Sequence, residues 1–218
     1  MPPESLKTLL LDLDGTLTDP SAGISNCILY ALREMNVPLL HQEQLNSWIG
    51  PPLLRSFSDY FKFLGVDEDE QEALRLYRER FSEKGLFENE VYEGIPAALS
   101  SLRQAGHQMF LATAKPIVFA QQIVDHFGLD QFLSHSYGAG LDGARSDKTE
   151  LLKFIIERES LNPGKCVMVG DRKHDMIGAR YHGMRAVGVL WGYGPREELL
   201  AAGAEQLVEY PSDLLNIV

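Results

Sequence analysis

The strongest constraint on this chain is a set of short apolar runs that do not alternate with polar residues. Leu6–Leu13 (LKTLLLDL), Gln108–Ala114 (QMFLATA), Cys166–Gly170 (CVMVG) and Ala186–Leu190 (AVGVL) each place apolar side chains at successive positions. Strands of that kind must be covered on both faces, as in a parallel sheet flanked by helices. Phe132–Tyr137 is a further strand candidate. Helical periodicity fills the intervals, over Pro96–Gln104, Pro116–Phe127, Asp147–Glu159, Lys173–Tyr181 and Pro195–Ala202. Strands alternating with helices in this way predict an α/β fold, a doubly wound parallel sheet.

One stretch interrupts the alternation. Between about Pro20 and Asn89 no strand is evident, whereas Ile24, Ile28, Ala31, Leu32 and Met35 recur at helical spacing, as do Ala73, Leu74, Tyr77 and Phe81. Asp67 with Glu70 three residues on reads as a helix start. A normal crossover needs one helix, so an all-helical block here is expected to be a cap. The expected division is a core of residues 1–19 and 90–218 and a helical cap of residues 20–89.

Composition narrows the partners. With 44% hydrophobic and 23% charged residues the chain is ordinary globular material. Acidic residues outnumber basic ones 31 to 20, a net charge of −11. That balance speaks against a nucleic-acid polymer or an anionic membrane, both of which need a basic footprint. The only cysteines, Cys27 and Cys166, form no CxxC, so neither a disulfide framework nor a thiolate zinc site is expected. The opening MPPESLKTLLLDLDG holds too short an apolar run for a signal peptide, and no stretch reaches the ~20 apolar residues of a membrane span. The expectation is a cytoplasmic protein, monomer or homodimer.

The chemistry gathers where strands end. The first strand runs into Asp12-Leu13-Asp14-Gly15-Thr16, and Gly15 permits the sharp turn that brings both carboxylates to one cleft. In open α/β sheets that cleft lies beyond the carboxyl ends of the strands. A second acidic pair, Asp171 and Asp175, follows Cys166–Gly170. The plain structural reading of these acids is a turn residue and helix caps. Two acidic strand ends in one sheet favour more, because carboxylates ~4 Å apart repel by ~4 kcal/mol at an effective dielectric of 20. Oxygen-only ligands with a phosphate nearby suit Mg²⁺. Thr113 supplies a hydroxyl and Ala114 a backbone N–H at the end of another strand. Lys148 stands at the N-terminus of a predicted helix in Ser146-Asp147-Lys148-Thr149-Glu150, where a cation is unfavourable unless an anion compensates. Lys115 is a further candidate contact for a phosphate or leaving group. Gly138-Ala-Gly140-Leu-Asp-Gly143 formally fits GxGxxG but lies away from the first strand and its helix, and reads as a loop.

Asp-x-Asp-Gly-Thr, Thr113, Lys148 and Gly-Asp-x-x-x-Asp, in that order, resemble the haloacid dehalogenase superfamily of phosphohydrolases over nearly the whole chain. Gly50-Pro51-Pro52-Leu53 and Trp191-Gly192-Tyr193-Gly194 resemble its phosphoglycolate phosphatase-like branch. The resemblance implies an Mg²⁺-dependent phosphatase acting on a small phosphorylated metabolite through an aspartyl-phosphate. Asp12 is implied as nucleophile and metal ligand. Asp14 is implied as general acid/base, with its backbone carbonyl on the metal. Thr113, Ala114 and Lys148 would bind the phosphoryl group, and Asp171 the metal, supported by Asp175. Many glycolate-phosphate members carry Lys-Pro-x-Pro near the lysine, whereas this chain has Arg145-Ser-Asp-Lys148-Thr-Glu, a form shared with nucleotidase-like relatives.

None of these motifs reads the leaving group, so specificity is expected in the helical insertion or in the loop after Thr113. Arg55, behind Pro51-Pro52, is the candidate there; a guanidinium can grip a carboxylate or second phosphate bidentately. Three alternatives stay open: 5'-nucleotidase-type specificity, a phosphomutase sharing the same motifs, and a phospho-accepting receiver domain. The receiver reading is weakened by the long helical insertion and by Asp14.

Overall fold

The structure, a computed structural model, describes residues 7–49 and 51–218. Leu6 of the first expected strand and Gly50 of the Gly50–Leu53 motif lie outside the described residues. In chain order the strands are β1 (Thr8–Leu11), β2 (Thr18–Asp19), β3 (Glu90–Val91), β4 (Gln108–Pro116), β5 (His135–Ala139), β6 (Cys166–Gly170), β7 (Arg185–Val189) and β8 (Gln206–Val208). The helices are α1 (Ser21–Glu34), α2 (Gln42–Ser47), α3 (Leu53–Leu64), α4 (Glu70–Arg80), α5 (Ile95–Gln104), α6 (Ile117–His126), α7 (Lys148–Glu159), α8 (Lys173–Tyr181) and α9 (Arg196–Ala201). Two compact units result, Met1–Asp19 with Val91–Val218, and Pro20–Glu90.

The larger unit holds a six-stranded sheet in the order β5-β4-β1-β6-β7-β8, with every adjacent pair parallel. This is the doubly wound sheet that the apolar runs predict. Leu9, Leu10 and Leu11 of β1 are fully buried, as are Phe110, Leu111 and Ala112 of β4, because the central strands are covered on both faces. Under β6 and β7 the side chains of Leu151, Leu152, Ile155, Met176 and Ala179 complete the core from α7 and α8.

Several local expectations shift. The weak strand is β5, three residues later than Phe132–Tyr137, because Asp130–Phe132 closes a 3₁₀ turn first. β4 continues through Thr113 and Ala114 to Pro116, so these two residues lie within a strand and not at its end. The helix expected from Asp67 starts at Glu70, and Asp69 caps it by accepting the Gln71 N–H at 2.8 Å. β8 had no strong apolar run to announce it.

The Pro20–Glu90 unit is built on aromatic and close backbone contacts. α3 begins after Pro52 and stops at Gly65, whose φ of +68° suits glycine at a helix terminus. Phe57 and Phe61, one turn apart, are buried, and the Trp48 ring meets Phe57 edge-on at 5.2 Å. α1 packs on α4, which ends in a π turn over Phe81–Gly85. A side chain on Gly23 would bring its Cβ within 2.2 Å of the Gly85 carbonyl oxygen, so that approach requires glycine. Arg80 closes the unit, gripping Glu88 through two hydrogen bonds of 2.8 and 2.9 Å and reaching the Cys27 sulfur at 3.2 Å. No helix among the described residues is long and apolar enough to cross a membrane.

The Arg80 hydrogen bonds hold the Glu88 carboxyl below the usual carboxylate range, against the opposing effect of burial. A depressed folded pKa stabilises the fold above the unfolded value of about 4.3, and that stabilisation is lost as pH falls through the folded value. Glu88→Gln should therefore lower stability by about 1 kcal/mol at pH 7. In thermal melts the gap from wild type should close below pH 4. A gap unchanged with pH would mean that the pair contributes packing alone.

Candidate active site

β1 lies at the switch point of the sheet, since the chain winds from it to β4 and β5 and then returns to β6 on its other flank. Switch points leave a crevice at the carboxyl ends of the strands. Asp12 is the first residue past β1 and Asp171 the first past β6. The Asp12 N–H donates to the Val169 carbonyl at 3.0 Å, extending the sheet pairing up to the acid. The chain then curls at once: the N–H groups of Thr16, Leu17 and Thr18 all donate to the Leu13 carbonyl, at 3.1, 2.8 and 3.0 Å. Gly15 takes a φ of +82°, and a Cβ there would lie 2.2 Å from Asp171 Oδ2. Conformation and space both demand glycine.

Asp12, Asp171 and Asp175 each present a carboxylate oxygen, and these three atoms lie within 4.8 Å of one another. Asp171 does not cap α8; Arg172 holds the N-cap position. The Asp171 carboxylate instead accepts the Tyr193 N–H at Oδ2, 2.8 Å away, while its buried Oδ1 has no hydrogen-bond partner among the described residues. Burial first, then Asp175 and Asp12, push the Asp171 carboxyl well above the usual range. Asp175, at the third position of α8, accepts the Arg172 N–H at 3.2 Å.

Lys148 is the first residue of α7, behind an Asp147 cap that accepts the Thr149 and Glu150 N–H groups at 2.8 and 3.1 Å. Its side chain is 3% exposed, so it is no solvated surface lysine. Its ammonium donates to the Ala112 carbonyl at 2.7 Å and lies 2.7 Å from Asp175 Oδ1 and 3.2 Å from Asp12 Oδ1. Burial works against the charge, but Asp12 and Asp175 hold the pKa above that of an ordinary lysine. The anions that offset a cation at this helix start are thus the protein's own carboxylates.

Asp14 stands on the other side of the turn with Lys115, whose ammonium is 2.7 Å from Oδ2. Burial lifts the Asp14 carboxyl above the usual range against the pull of Lys115. The Lys115 N–H donates to Thr113 Oγ1 at 3.2 Å, in the stretch where β4 and β5 pair irregularly between Thr113 and Pro116. Asp12, Asp14, Asp171 and Asp175 thus lie in the first turns beyond β1 and β6, Thr113, Ala114 and Lys115 in the later part of β4, and Lys148 at the start of α7. Arg55 is on α3 of the other unit, 81% exposed, with Asp59 3.6 Å away.

Sequence reasoning gave no role to the loop after β7. The Trp191 indole N–H donates to the Thr16 carbonyl at 3.0 Å, and the Tyr193 phenol donates to Asp19. A Cβ on Gly192 would stand 2.4 Å from both Asp171 Cβ and the Gly15 carbonyl oxygen. Two glycines flanking a tyrosine after a buried strand were the available signal.

Comparison with known proteins agrees with this geometry. Residues 9–189 match the haloacid dehalogenase-like hydrolase family. The chain is 42% identical to a 5'-nucleotidase of Pseudomonas aeruginosa, over 94% of this chain and 91% of that one. It is 36% identical to the tyrosine-protein kinase PtkA of Mycobacterium tuberculosis, over 88% of this chain and 65% of the kinase. A phosphoglycolate phosphatase of Vibrio parahaemolyticus is 25% identical over 100% of this chain and 98% of its own length. The crystal structure of a predicted phosphatase from Clostridium acetobutylicum superposes with a TM-score of 0.88 at 38% identity, covering 97% of this chain and 98% of that one. With sheet order, acidic strand ends and relatives in agreement, the chain belongs to the haloacid dehalogenase-like hydrolases and is a phosphatase of that family.

Proposed function

We propose that the protein hydrolyses a small phosphate monoester with the help of Mg²⁺, passing the phosphoryl group through Asp12. The observation that carries this reading is the carboxylate cluster itself. Asp12, Asp171 and Asp175 crowd together around a single ammonium, that of Lys148, so negative charge in the cluster is left uncompensated. Together with the unpartnered Asp171 Oδ1, that deficit suits one hard divalent cation with oxygen ligands. Asp12 and Asp171 would hold it through their carboxylates and Asp14 through its backbone carbonyl, with Asp175 bracing Lys148 behind them. Bound there, Mg²⁺ would draw charge from the phosphoryl oxygens.

The residues divide the reaction. The Asp12 carboxylate attacks phosphorus and forms an O–P bond as the ester O–P bond breaks. Asp14, whose raised pKa favours a retained proton, gives that proton to the departing alkoxide. It then takes one from the water that cleaves the aspartyl-phosphate. Thr113, the Ala114 N–H and Lys148 hold the phosphoryl oxygens, and Lys115 orients Asp14. The helical unit is assigned the recognition of the leaving group. For that leaving group the 42% identity to a 5'-nucleotidase favours a nucleoside over glycolate, whose phosphatase is 25% identical. A phosphomutase would return the phosphoryl group to its substrate without releasing phosphate, and a receiver domain would turn over at most once.

Asp12→Asn should lower turnover of p-nitrophenyl phosphate in Mg²⁺ by at least ~10³-fold, because an amide is no nucleophile. Retention of wild-type kcat would refute the covalent route. The same assay on nucleoside monophosphates, phosphoglycolate and sugar phosphates should rank a nucleotide first by kcat/KM.

Arg55→Ala should depress kcat/KM for the best of those esters about tenfold or more while sparing p-nitrophenyl phosphate, which offers no second anion. Equal values for variant and wild type on every ester would assign Arg55 to the surface alone.

The uncompensated charge also has a stability signature. A carboxyl whose folded pKa is raised weakens the fold increasingly as pH climbs from the unfolded value, about 3.9, toward the folded one. In EDTA at pH 7, Asp171→Asn should therefore melt a few degrees above wild type, a gain of about 1 kcal/mol. The gap should narrow toward pH 4, and added Mg²⁺ should raise the wild-type Tm alone. Equal melting in EDTA at pH 7 would show that Asp171 carries no such penalty.

A further inference from the structure

Asp12 and Asp171 belong to different loops, one after β1 and one after β6, and like charges brought within 4.8 Å of each other push those loops apart. Lys148 offsets this from the side of Asp12 and Asp175. On the side of Asp171 the loop Trp191–Gly194 crosses both acidic loops, and it bonds them through uncharged donors. The Trp191 indole N–H holds the Thr16 carbonyl at 3.0 Å, and the Tyr193 backbone N–H holds Asp171 Oδ2 at 2.8 Å. The Tyr193 phenol donates to Asp19, the last residue of β2, and is hydrogen-bonded with the Tyr92 phenol. Gly192 allows contact with the Gly15 carbonyl and the Asp171 side chain at once, and a Cβ on Gly194 would come within 2.0 Å of the Asp171 carbonyl oxygen.

We propose that Trp191–Gly194 is a positioning loop that fixes the separation of the Asp12 turn and Asp171, and so sets the affinity of the acidic cluster for its divalent cation. Trp191 and Tyr193 touch no reacting atom; they act through the two acidic loops. Neutral donors suit this task because a cation in their place would compete for the site with the metal. With Oδ2 of Asp171 held by the loop, Oδ1 is left facing the cluster as a ligand. Tyr193 extends the restraint to Asp19, so the same loop also fixes the chain where it leaves the core unit.

The inference rests on the reading of the cluster as a cation site, and the experiment separates the two. Mn²⁺ binding to the metal-free full-length protein is followed by electron paramagnetic resonance, with no substrate present. Wild type should bind one Mn²⁺, and Asp171→Asn should lose that binding. If wild type binds none, or Asp171→Asn binds equally well, the cation reading fails and this inference falls with it. Given that control, Trp191→Phe removes the indole donor to the Thr16 carbonyl, and Gly192→Ala places a Cβ 2.4 Å from both the Gly15 carbonyl oxygen and Asp171 Cβ, which forces the loop off the two acidic loops. Each should weaken Mn²⁺ binding about tenfold, at the lower end of the effect of groups that orient metal ligands. In turnover, kcat at limiting Mg²⁺ should fall and saturating Mg²⁺ should restore it, with KM for p-nitrophenyl phosphate little changed. A loop that only packs would lower the Tm and leave Mn²⁺ affinity within twofold of wild type, and that result in folded variants overturns the proposal. Should Trp191→Phe not fold, Gly192→Ala decides alone.

Discussion

The Lys148 ammonium is the interaction on which the rest of the site depends. It is buried between Asp12 and Asp175, with the Ala112 carbonyl as its third partner, and so ties together the ends of β1 and β4 and the first turns of α7 and α8. An ammonium out of water is tolerated only when paired and hydrogen-bonded, and here it has one carbonyl hydrogen bond and two carboxylate ion pairs. The carboxylates gain as much from the arrangement, since without Lys148 two of them would face each other unscreened. Structure and chemistry are joined at this point: the one ammonium that lets the acids be buried does not balance all of them.

Backbone geometry does the remaining positioning. The curl after β1 returns three N–H groups to a single carbonyl, that of Leu13, which compacts the Asp12–Thr18 turn. Gly15 and Gly192 let that turn, Asp171 and the loop after β7 approach to distances that no side chain would allow. The strength of the site therefore lies in elements that hold position without adding charge. Its raised carboxyl pKa values, at Asp14, Asp171 and Asp175, follow from burial above all.

The two units serve different demands. On the proposed reading the sheet unit supplies the groups for the phosphoryl end of a substrate, and those groups do not read what the phosphate is attached to. The Pro20–Glu90 unit is held by its own aromatic contacts and by the Arg80–Glu88 pair, so its surface residues can vary without disturbing the chemistry.

Much of the fold was written in local patterns. Continuous apolar runs specify strands covered on both faces, and β6 falls where Cys166–Gly170 lies because burial is total there. α8 likewise begins and ends at Lys173 and Tyr181 as its periodicity indicates. β8 was hidden because an edge strand of three residues is only partly buried and leaves no distinctive run. The end of β4 was misplaced because Thr113 reads as a terminator, while pairing with β5 carries the strand on to Pro116. The acids themselves were legible, since paired carboxylates after two buried strands have no common structural use. Their partners were not. That Lys148 meets Asp12 and Asp175, that Lys115 lies on Asp14, and that Tyr193 reaches Asp171 are contacts across 22 to 136 positions of chain. Local sequence sets which residues are charged and which strands are buried; only the order of the strands in the sheet decides which charges meet.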